Sequence, residues 1–296
     1  MRSGFIAIIG RPNVGKSTFL NSIVGEKIAA VSPKPQTTRN RLLGVRNSGE
    51  GEGGQLVFID TPGIHKPHTK MHKKMVDIAF AALQGIDLIL LMVDAASEFG
   101  AGDRFVLEAI KKAGLPVVLA INKVDLVRKG RILPLIELYH REFPFRAIVP
   151  ISAMLGDGVD DLERELVEAL PEGKPIFAED VITDQPERSL AAEIVREKVF
   201  IHTHEEVPYS SAVFIDAWEE SEDLNRIDIA ATILVDRASQ KGIVIGRGGQ
   251  MLKRIGTEAR KELEQILNVK IYLELWVKVK EGWRENDGIL RDLGIE

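Results

Sequence analysis

The 296-residue chain contains no cysteine. That excludes a disulfide framework, thiol catalysis and a cysteine-ligated zinc site, and it is compatible with a reducing compartment. Long apolar runs are also missing. The longest, Ile86–Ala96, is interrupted by Asp87 and Asp94 and is far shorter than the ~20 residues that cross a bilayer as a helix. Positive charge is not in excess: 39 Lys and Arg face 44 Asp and Glu, a net charge of −5. The chain as a whole therefore has no general attraction for nucleic-acid phosphate, and no DNA partner is expected. No internal repeat or low-complexity tract is present. With 45% hydrophobic and 28% charged residues, the composition is that of a globular protein, not a disordered tail, a collagen or a coiled-coil rod. The N-terminus enters a glycine-rich motif by Gly10 and leaves no room for a signal peptide, so a cytoplasmic protein is expected.

The two halves of the chain have different rhythms. In the first, Phe5–Ile9, Leu56–Ile59, Asp87–Val93, Pro116–Ile121 and Ala147–Pro150 are apolar on consecutive positions, as strands buried on both faces of a parallel sheet must be. Helical patterns such as Ala101–Ala113 lie between them. Alternation of strand and helix predicts a doubly wound α/β domain over residues 1–172, with ligands outside the carboxyl ends of its strands. Residues 173–186 carry Pro175, Pro186, Gly173 and several charges, which reads as a linker. From 187 to 296 the order is helix, strand, strand, helix, helix, strand: an α+β domain with a tail. Its last strand, Lys270–Lys280, alternates strictly and puts Ile271, Leu273, Leu275, Val277 and Val279 on one face.

Gly10-Arg11-Pro12-Asn13-Val14-Gly15-Lys16-Ser17 fits G-x-x-x-x-G-K-[ST], directly after a strand and opening a helix, and Thr18 after it is counted with the nucleotide-binding residues. Glycines let the backbone N–H groups turn inward onto phosphates, where the helix N-terminus adds positive potential. Lys16 reaches the β- and γ-phosphates and the Ser17 hydroxyl ligates Mg²⁺ in such loops. Asn122-Lys123-Val124-Asp125 follows another strand. A carboxylate at Asp125 can accept hydrogen bonds from guanine N1–H and the 2-amino group; adenine has neither donor, and a buried group left unpaired discriminates strongly. Asp60-Thr61-Pro62-Gly63 also follows a strand, placing Asp60 to hold Mg²⁺ through water and the Gly63 N–H to meet the γ-phosphate. Ile151-Ser152-Ala153 suits a loop that packs the base from the other side. Gln36-Thr37-Thr38-Arg39 supplies hydroxyls for the Mg²⁺ shell when a γ-phosphate is present. All five loops fall at strand ends or connections, in order.

In the second half, Gly246-Arg247-Gly248-Gly249 follows Ile245 and precedes a helical run from Gln250 to Leu267. A tight helix–helix turn would account for G-x-x-G alone. Between Arg237 and Lys261, however, seven basic residues, Lys253 and Arg254 among them, face Glu258 alone, whereas residues 184–296 hold 16 basic and 22 acidic residues. A basic island in an acidic domain is aimed at an anion. Glycines in the loop let a nucleic-acid backbone approach, as in KH modules, which clamp about four nucleotides. The order of elements resembles the type II KH arrangement, and single-stranded RNA is the expected ligand. Tyr272 and Trp276 lie on the other face of the last strand; packing against a neighbouring helix is expected for them in preference to base stacking, because tryptophan is mostly buried.

The five loops are similar to the motifs of translation-factor-type GTPases. With Pro35-Gln36-Thr37-Thr38-Arg39-Asn40, Asp60-Thr61-Pro62-Gly63 and the second half included, the whole chain resembles the Era family of ribosome-assembly GTPases. The resemblance implies GTP hydrolysis with Mg²⁺ on Ser17, Thr38 and Asp60, Thr37 being the alternative to Thr38, and with Lys16, Thr38 and Gly63 serving the reaction. It implies an RNA site on the 3′ end of 16S ribosomal RNA, the 30S subunit as partner, and a role in small-subunit maturation; peripheral association with the inner membrane stays open. Where Ras-like enzymes carry a water-orienting glutamine after this glycine, the chain has Ile64, which can neither orient water nor act as a base. In related GTPases with an apolar residue there, the position of Asn13 helps to bind K⁺, so K⁺ is carried over as a second cation.

Other features are set aside. His65, His68 and His72 cluster, and His68 and His72 have ligand-like i, i+4 spacing, but Lys66, Lys70, Lys73 and Lys74 would repel a cation. His202-Thr203-His204 reads as an exposed helix end. A tRNA-modification GTPase would need a modification domain or a terminal cysteine, neither of which is present. An RNA-binding scaffold or chaperone with a vestigial nucleotide site is the rival from another functional class.

Overall fold

In a computed structural model the described residues are 1–49, 53–64, 66–221, 223, 225 and 226–295. His65 of the histidine cluster lies outside them. The chain divides into two units: Met1–Ala29, Thr38–His68 and His72–Asp184 form the first, and Ala30–Thr37, Thr69–Met71 and Gln185–Glu296 the second.

The first unit is a six-stranded sheet built from β1 (Arg2–Gly10), β2 (Leu42–Ser48), β3 (Gly54–Asp60), β4 (Leu88–Asp94), β5 (Val117–Asn122) and β6 (Ala147–Pro150) in the order β2-β3-β1-β4-β5-β6. All neighbours are parallel except β2, which runs antiparallel to β3. Helices α1 (Lys16–Val24) and α5 (Val159–Ala169) cover one face, where Phe19, Leu20, Leu162 and Leu166 meet Ile6, Ile8, Phe58 and Leu90. Helices α2 (Lys70–Ala81), α3 (Ala101–Ala113) and α4 (Ile132–Glu142) bring Ala79, Val106, Ile110 and Tyr139 to the other, against Ile9, Leu91 and Leu119. Burial on both faces explains the unbroken apolar runs of the central strands. Sequence reading missed β2. Its residues Leu42-Leu43-Gly44-Val45-Arg46-Asn47-Ser48 mix apolar and polar positions, as an edge strand does, and Gly44 is needed because a Cβ there would lie 2.7 Å from Leu20 Cδ1.

The stretch read as a linker lies along this edge. Ile176 and Phe177 donate their N–H groups to Gln55 Oε1 (2.6 and 2.8 Å), Val45 N–H reaches Ile182 C=O (2.7 Å), and Phe177 and Val181 pack on Leu43, Val45 and Val57.

The second unit is a three-stranded sheet, β7 (Ser211–Ser221), β8 (Arg226–Val235) and β9 (Lys270–Val279), with β7 antiparallel and β9 parallel to β8. One face is covered by α6 (Glu187–His202), α7 (Ala238–Ile245) and α8 (Gln250–Leu267); Ile194, Val195, Ile255 and Leu263 enclose Ile229, Ile233 and Val277. After β9 comes the short α9 (Asp287–Asp292), and the buried Trp283 ahead of it donates its indole N–H to Ser210 C=O at 2.9 Å. Residues 30–37 are strapped to α6. The buried carboxylate of Glu197 accepts Val31 N–H at 2.8 Å, Arg196 donates to Thr37 C=O, and Lys34 donates to the carbonyls of Phe200 and Thr203 that α6 leaves unused at its end.

Two expectations need correction. Tyr272 and Trp276 do not pack against a helix: each is 56% exposed, because the helices occupy only the opposite face of the sheet. His202 closes α6 as read, but its side chain is buried against Glu258 (Nε2 to Oε2, 2.6 Å) and is not exposed.

Candidate nucleotide and RNA sites

The phosphate loop leaves β1 at Gly10, where a Cβ would lie 2.4 Å from Met92 C=O, and turns through the left-handed backbones of Asn13 (φ 63°) and Gly15 (φ 99°). Gly15 has no alternative: its Cβ would sit 2.2 Å from Asn122 Nδ2. Lys16 is 6% exposed and its ammonium donates to the loop carbonyls of Arg11 (3.2 Å) and Gly10 (3.5 Å). Burial lowers its pKa, a shift that the nearby Asp60 carboxylate opposes. Removing a cation from water in this way leaves it in want of an anion.

Three oxygen groups converge beside it. Ser17 Oγ donates to Asp60 Oδ2 (2.8 Å) and is 2.7 Å from Thr38 Oγ1, which is itself 3.2 Å from Asp60 Oδ2. Asp60 is fully buried, and burial pushes its carboxyl pKa up in spite of Lys16 and of these hydroxyls. Its second oxygen, Oδ1, is buried without a hydrogen-bond partner. A buried carboxylate oxygen with an unused lone pair, next to two hydroxyls, matches the all-oxygen donor set of a hard divalent cation such as Mg²⁺. Thr37, the alternative hydroxyl, points elsewhere and donates to Lys34 C=O at 3.1 Å.

The remaining loops are wired to this one. Asn122 donates to Val14 C=O (2.8 Å) and accepts from Ala153 N–H (2.9 Å), joining the phosphate loop to the Ser152-Ala153 turn. Lys123, left-handed at φ 64°, donates to Asn13 C=O and to Asp94 Oδ2, both at 2.7 Å. Asp125 is exposed in the following turn. Thr61 is anchored through Ile8 C=O (2.9 Å) and Ile64 N–H through Gly10 C=O (3.1 Å); Pro62 and Gly63 are buried, and Gly63 lies so close to Pro12 that a Cβ would be 2.6 Å from its nitrogen. Ile64 is 2% exposed and faces the core among Ile9 and Leu91.

Sequence reading did not single out Asp103. Buried on α3, it binds Arg11 of the phosphate loop (Nη1 to Oδ2, 3.0 Å) and the N–H of Gly100 (2.9 Å), and it is 3.4 Å from the hydroxyl of the buried Tyr139. Nothing in the local sequence separates it from the other carboxylates of an amphipathic helix. Among the described residues no group of three metal-ligating side chains comes together.

In the second unit, Gly246, Gly248 and Gly249 all have positive φ (72°, 57° and 79°), so the loop is one that side chains other than hydrogen would strain. Arg247, Lys253 and Arg254 are exposed around it, while Ile245 is partly buried. Beside the loop runs a groove of about 420 Å³ between α8 and β9, lined by Gly249, Lys253, Gly256, Arg260, Leu273 and Leu275. Gly256 lets the two elements approach, since a Cβ would be 3.3 Å from Leu275 Cδ1. Its apolar floor and basic rim suit unstacked bases with their phosphates outside. Leu273 and Leu275 were visible in the sequence only as members of an apolar stripe.

Both units match known proteins. Residues 5–123 match the family described as 50S ribosome-binding GTPase, and residues 206–284 match the KH domain. GTPase Era of Geobacter metallireducens is 52% identical over 293 residues, covering 99% of this chain and 97% of that protein. The chain belongs to the Era family of GTPases. GTPase Era of Syntrophus aciditrophicus is 48% identical, covering 99% of this chain and 95% of its own. Among solved structures, an Aquifex aeolicus Era variant bound to GDP.AlF4⁻ superposes with a TM-score of 0.95 at 45% identity, covering 100% and 99% of the two chains. An Era structure in complex with MgGDPNP and nucleotides 1506–1542 of 16S ribosomal RNA gives a TM-score of 0.96, again at 45% identity and with 100% and 99% coverage. The Era fold accounts for both units, and no described helix is long and apolar enough to cross a membrane.

Proposed function

We propose that this protein hydrolyses GTP, that its nucleotide state governs an RNA site, and that the RNA is the 3′ end of 16S ribosomal RNA during assembly of the 30S subunit. The observation that carries the nucleotide half is the cluster of Ser17, Thr38 and Asp60 around an unpaired buried carboxylate oxygen, with the desolvated Lys16 beside it. Ser17, Thr38 and Asp60 would hold Mg²⁺ there, and the ion would supply charge neutralisation at the nucleotide's phosphates. Lys16 exchanges the carbonyls of Gly10 and Arg11 for phosphate oxygens, and the loop's N–H groups line the same path. The Gly63 N–H meets the γ-phosphate, so Thr38 and Gly63 together register its presence, and its loss releases both segments. Asp125 reads the guanine edge, while Asn122, Lys123, Ser152 and Ala153 hold the surrounding loops.

Ile64 is directed into the core, so water is positioned without a side-chain base, and catalysis rests on preorganised charge. Asn13 supports K⁺ as a further cation: its carbonyl is taken by Lys123 but its side chain is exposed on the loop. Full-rate turnover in K⁺ and a marked loss in Na⁺ is the expected outcome.

For the RNA half, the positive-φ glycines, the basic rim of Arg247, Lys253, Arg254 and Arg260, and the groove on Leu273 and Leu275 support a KH clamp. The relative's complex with nucleotides 1506–1542 directs the choice of RNA. Phosphate release from GTP but not ATP, abolished in Lys16→Ala, together with loss of RNA binding in Arg247→Glu, tests the reading. A Lys16→Ala protein that keeps full cellular function would favour the scaffold instead.

A further inference from the structure

Strand β9 is the edge strand of its sheet and has two unlike faces. Inward, Ile271 and Val277 enter the core, while Leu273 and Leu275 form the groove floor. Outward stand Lys270, Tyr272, Glu274, Trp276 and Lys278, all exposed, and Lys280 follows one residue past the strand. A tryptophan and a tyrosine that each keep 56% of their surface in contact with solvent forfeit the burial these side chains ordinarily reach. The two rings are four residues apart on one face, about 13 Å along the strand. Their partners on β8 are not bulky apolar groups: Trp276 stands opposite Thr232, Glu274 opposite Ala230 and Tyr272 opposite Asp228. Thr232 is turned to Asp216 by a 2.6 Å hydrogen bond, so no β8 aromatic or large aliphatic side chain stands directly opposite either ring.

We propose that single-stranded RNA leaving the groove crosses the free edge of β9 and stacks bases on Trp276 and Tyr272, a second and sequence-tolerant binding site on the back of the sheet. The proposal rests on the groove being an RNA site. Continuity is its main support, because the residues that floor the groove alternate, one by one, with those that carry the rings. A KH clamp takes about four nucleotides, and a longer strand needs somewhere to go. Lys270, Lys278 and Lys280 flank the aromatic row and suit a phosphate backbone that passes over stacked bases. Of the carboxylates beside the row, Asp228 is paired with Arg226 and Asp216 accepts from Thr232, while Glu274 stands within it.

The test uses the full chain and two single-stranded RNAs from the 3′ end of 16S ribosomal RNA, one of about five nucleotides and one of about twelve, at one salt concentration. Trp276→Ala is expected to leave the short RNA unaffected and to weaken the long one roughly 5- to 150-fold, the range for removing one stacking platform. Tyr272→Ala should do the same to a smaller extent. Trp276→Phe should keep most of the affinity, while the quenching of tryptophan emission by the long RNA disappears. Long-RNA affinity within twofold of wild type in Trp276→Ala overturns the proposal, as does equal weakening of both RNAs. Loss of 30S binding with RNA affinity intact also overturns it and assigns the face to a protein partner. If the short RNA fails to bind the wild type while Trp276→Ala still weakens the long one, the groove reading falls and the path proposed from it is overturned, leaving Trp276 as an RNA contact of its own.

Discussion

Replacing Asn122 with alanine removes a side chain that ties the phosphate loop to the Ser152-Ala153 turn. Its amide makes two buried hydrogen bonds, to Val14 C=O and from Ala153 N–H, and the residue is 2% exposed. Each backbone group left unpaired out of water costs about 1–3 kcal/mol, so the pair is worth roughly 2–4 kcal/mol once strong overlap is allowed for. That corresponds to a loss of GDP affinity on the order of 30- to 1,000-fold if both loops must be in place for binding. Gly15 provides the internal control. Its Cβ in Gly15→Ala would collide with Asn122 Nδ2 at 2.2 Å and displace the same amide. The two substitutions should therefore be far from additive, with Gly15→Ala costing much less in an Asn122→Ala background, apart from the strain of its left-handed φ. Titration with a fluorescent GDP analogue, paired with thermal unfolding of each apo variant, gives both quantities. Additive losses, or an affinity change under about twofold in Asn122→Ala, would refute the reasoning.

Other outcomes follow from the same geometry. Asp125→Asn should lose GTP and gain affinity for xanthosine triphosphate, whose 2-oxo group accepts from the new amide; competition binding measures the exchange. Asp103→Asn, which weakens the hold on Arg11, should raise the KM for GTP more than it lowers kcat, since the residue does not touch the phosphates; steady-state kinetics separates the two. Glu258 has its carboxyl pKa lowered, first by His202 and then by Arg254. A carboxyl whose folded pKa is depressed adds stability above its unfolded value, and that stability is lost as the pH falls through the folded one. The stability difference between wild type and Glu258→Gln should thus be present near neutrality and fade below about pH 4.5, the ordinary carboxyl range, as followed by urea unfolding at several pH values.

Much of this was legible in the sequence for a definite reason. Doubly buried strands write unbroken apolar runs, and phosphate chemistry dictates glycine, lysine and hydroxyl at fixed spacing, so the nucleotide loops could be placed residue by residue. The Ser17–Thr38–Asp60 cluster needed three separate loops to meet, and the sequence does not show that the Thr38 hydroxyl lies against Ser17 and Asp60 while that of Thr37 donates to Lys34 C=O. Strand β2 was hidden because Gly44 breaks its short apolar run and Arg46-Asn47-Ser48 are polar, although Leu42 to Val45 are buried. Asp103 and Glu197 were invisible because buried carboxylates look like surface ones until their partners, Arg11 and the backbone of Val31, are known. The exposure of Trp276 was misjudged because a general tendency of tryptophan stood in for knowing which face of the sheet the helices cover.

The central claim, that one chain couples a guanine nucleotide to an RNA site, is tested most directly by RNA affinity in two nucleotide states. A single-stranded RNA matching the 3′ end of 16S ribosomal RNA should be titrated in K⁺ buffer with GDP and with a non-hydrolysable GTP analogue. Tighter binding with the analogue is predicted, and linkage then requires the RNA to raise affinity for the analogue by the same factor. Equal affinity in both states would contradict the account and leave two independent modules on one chain.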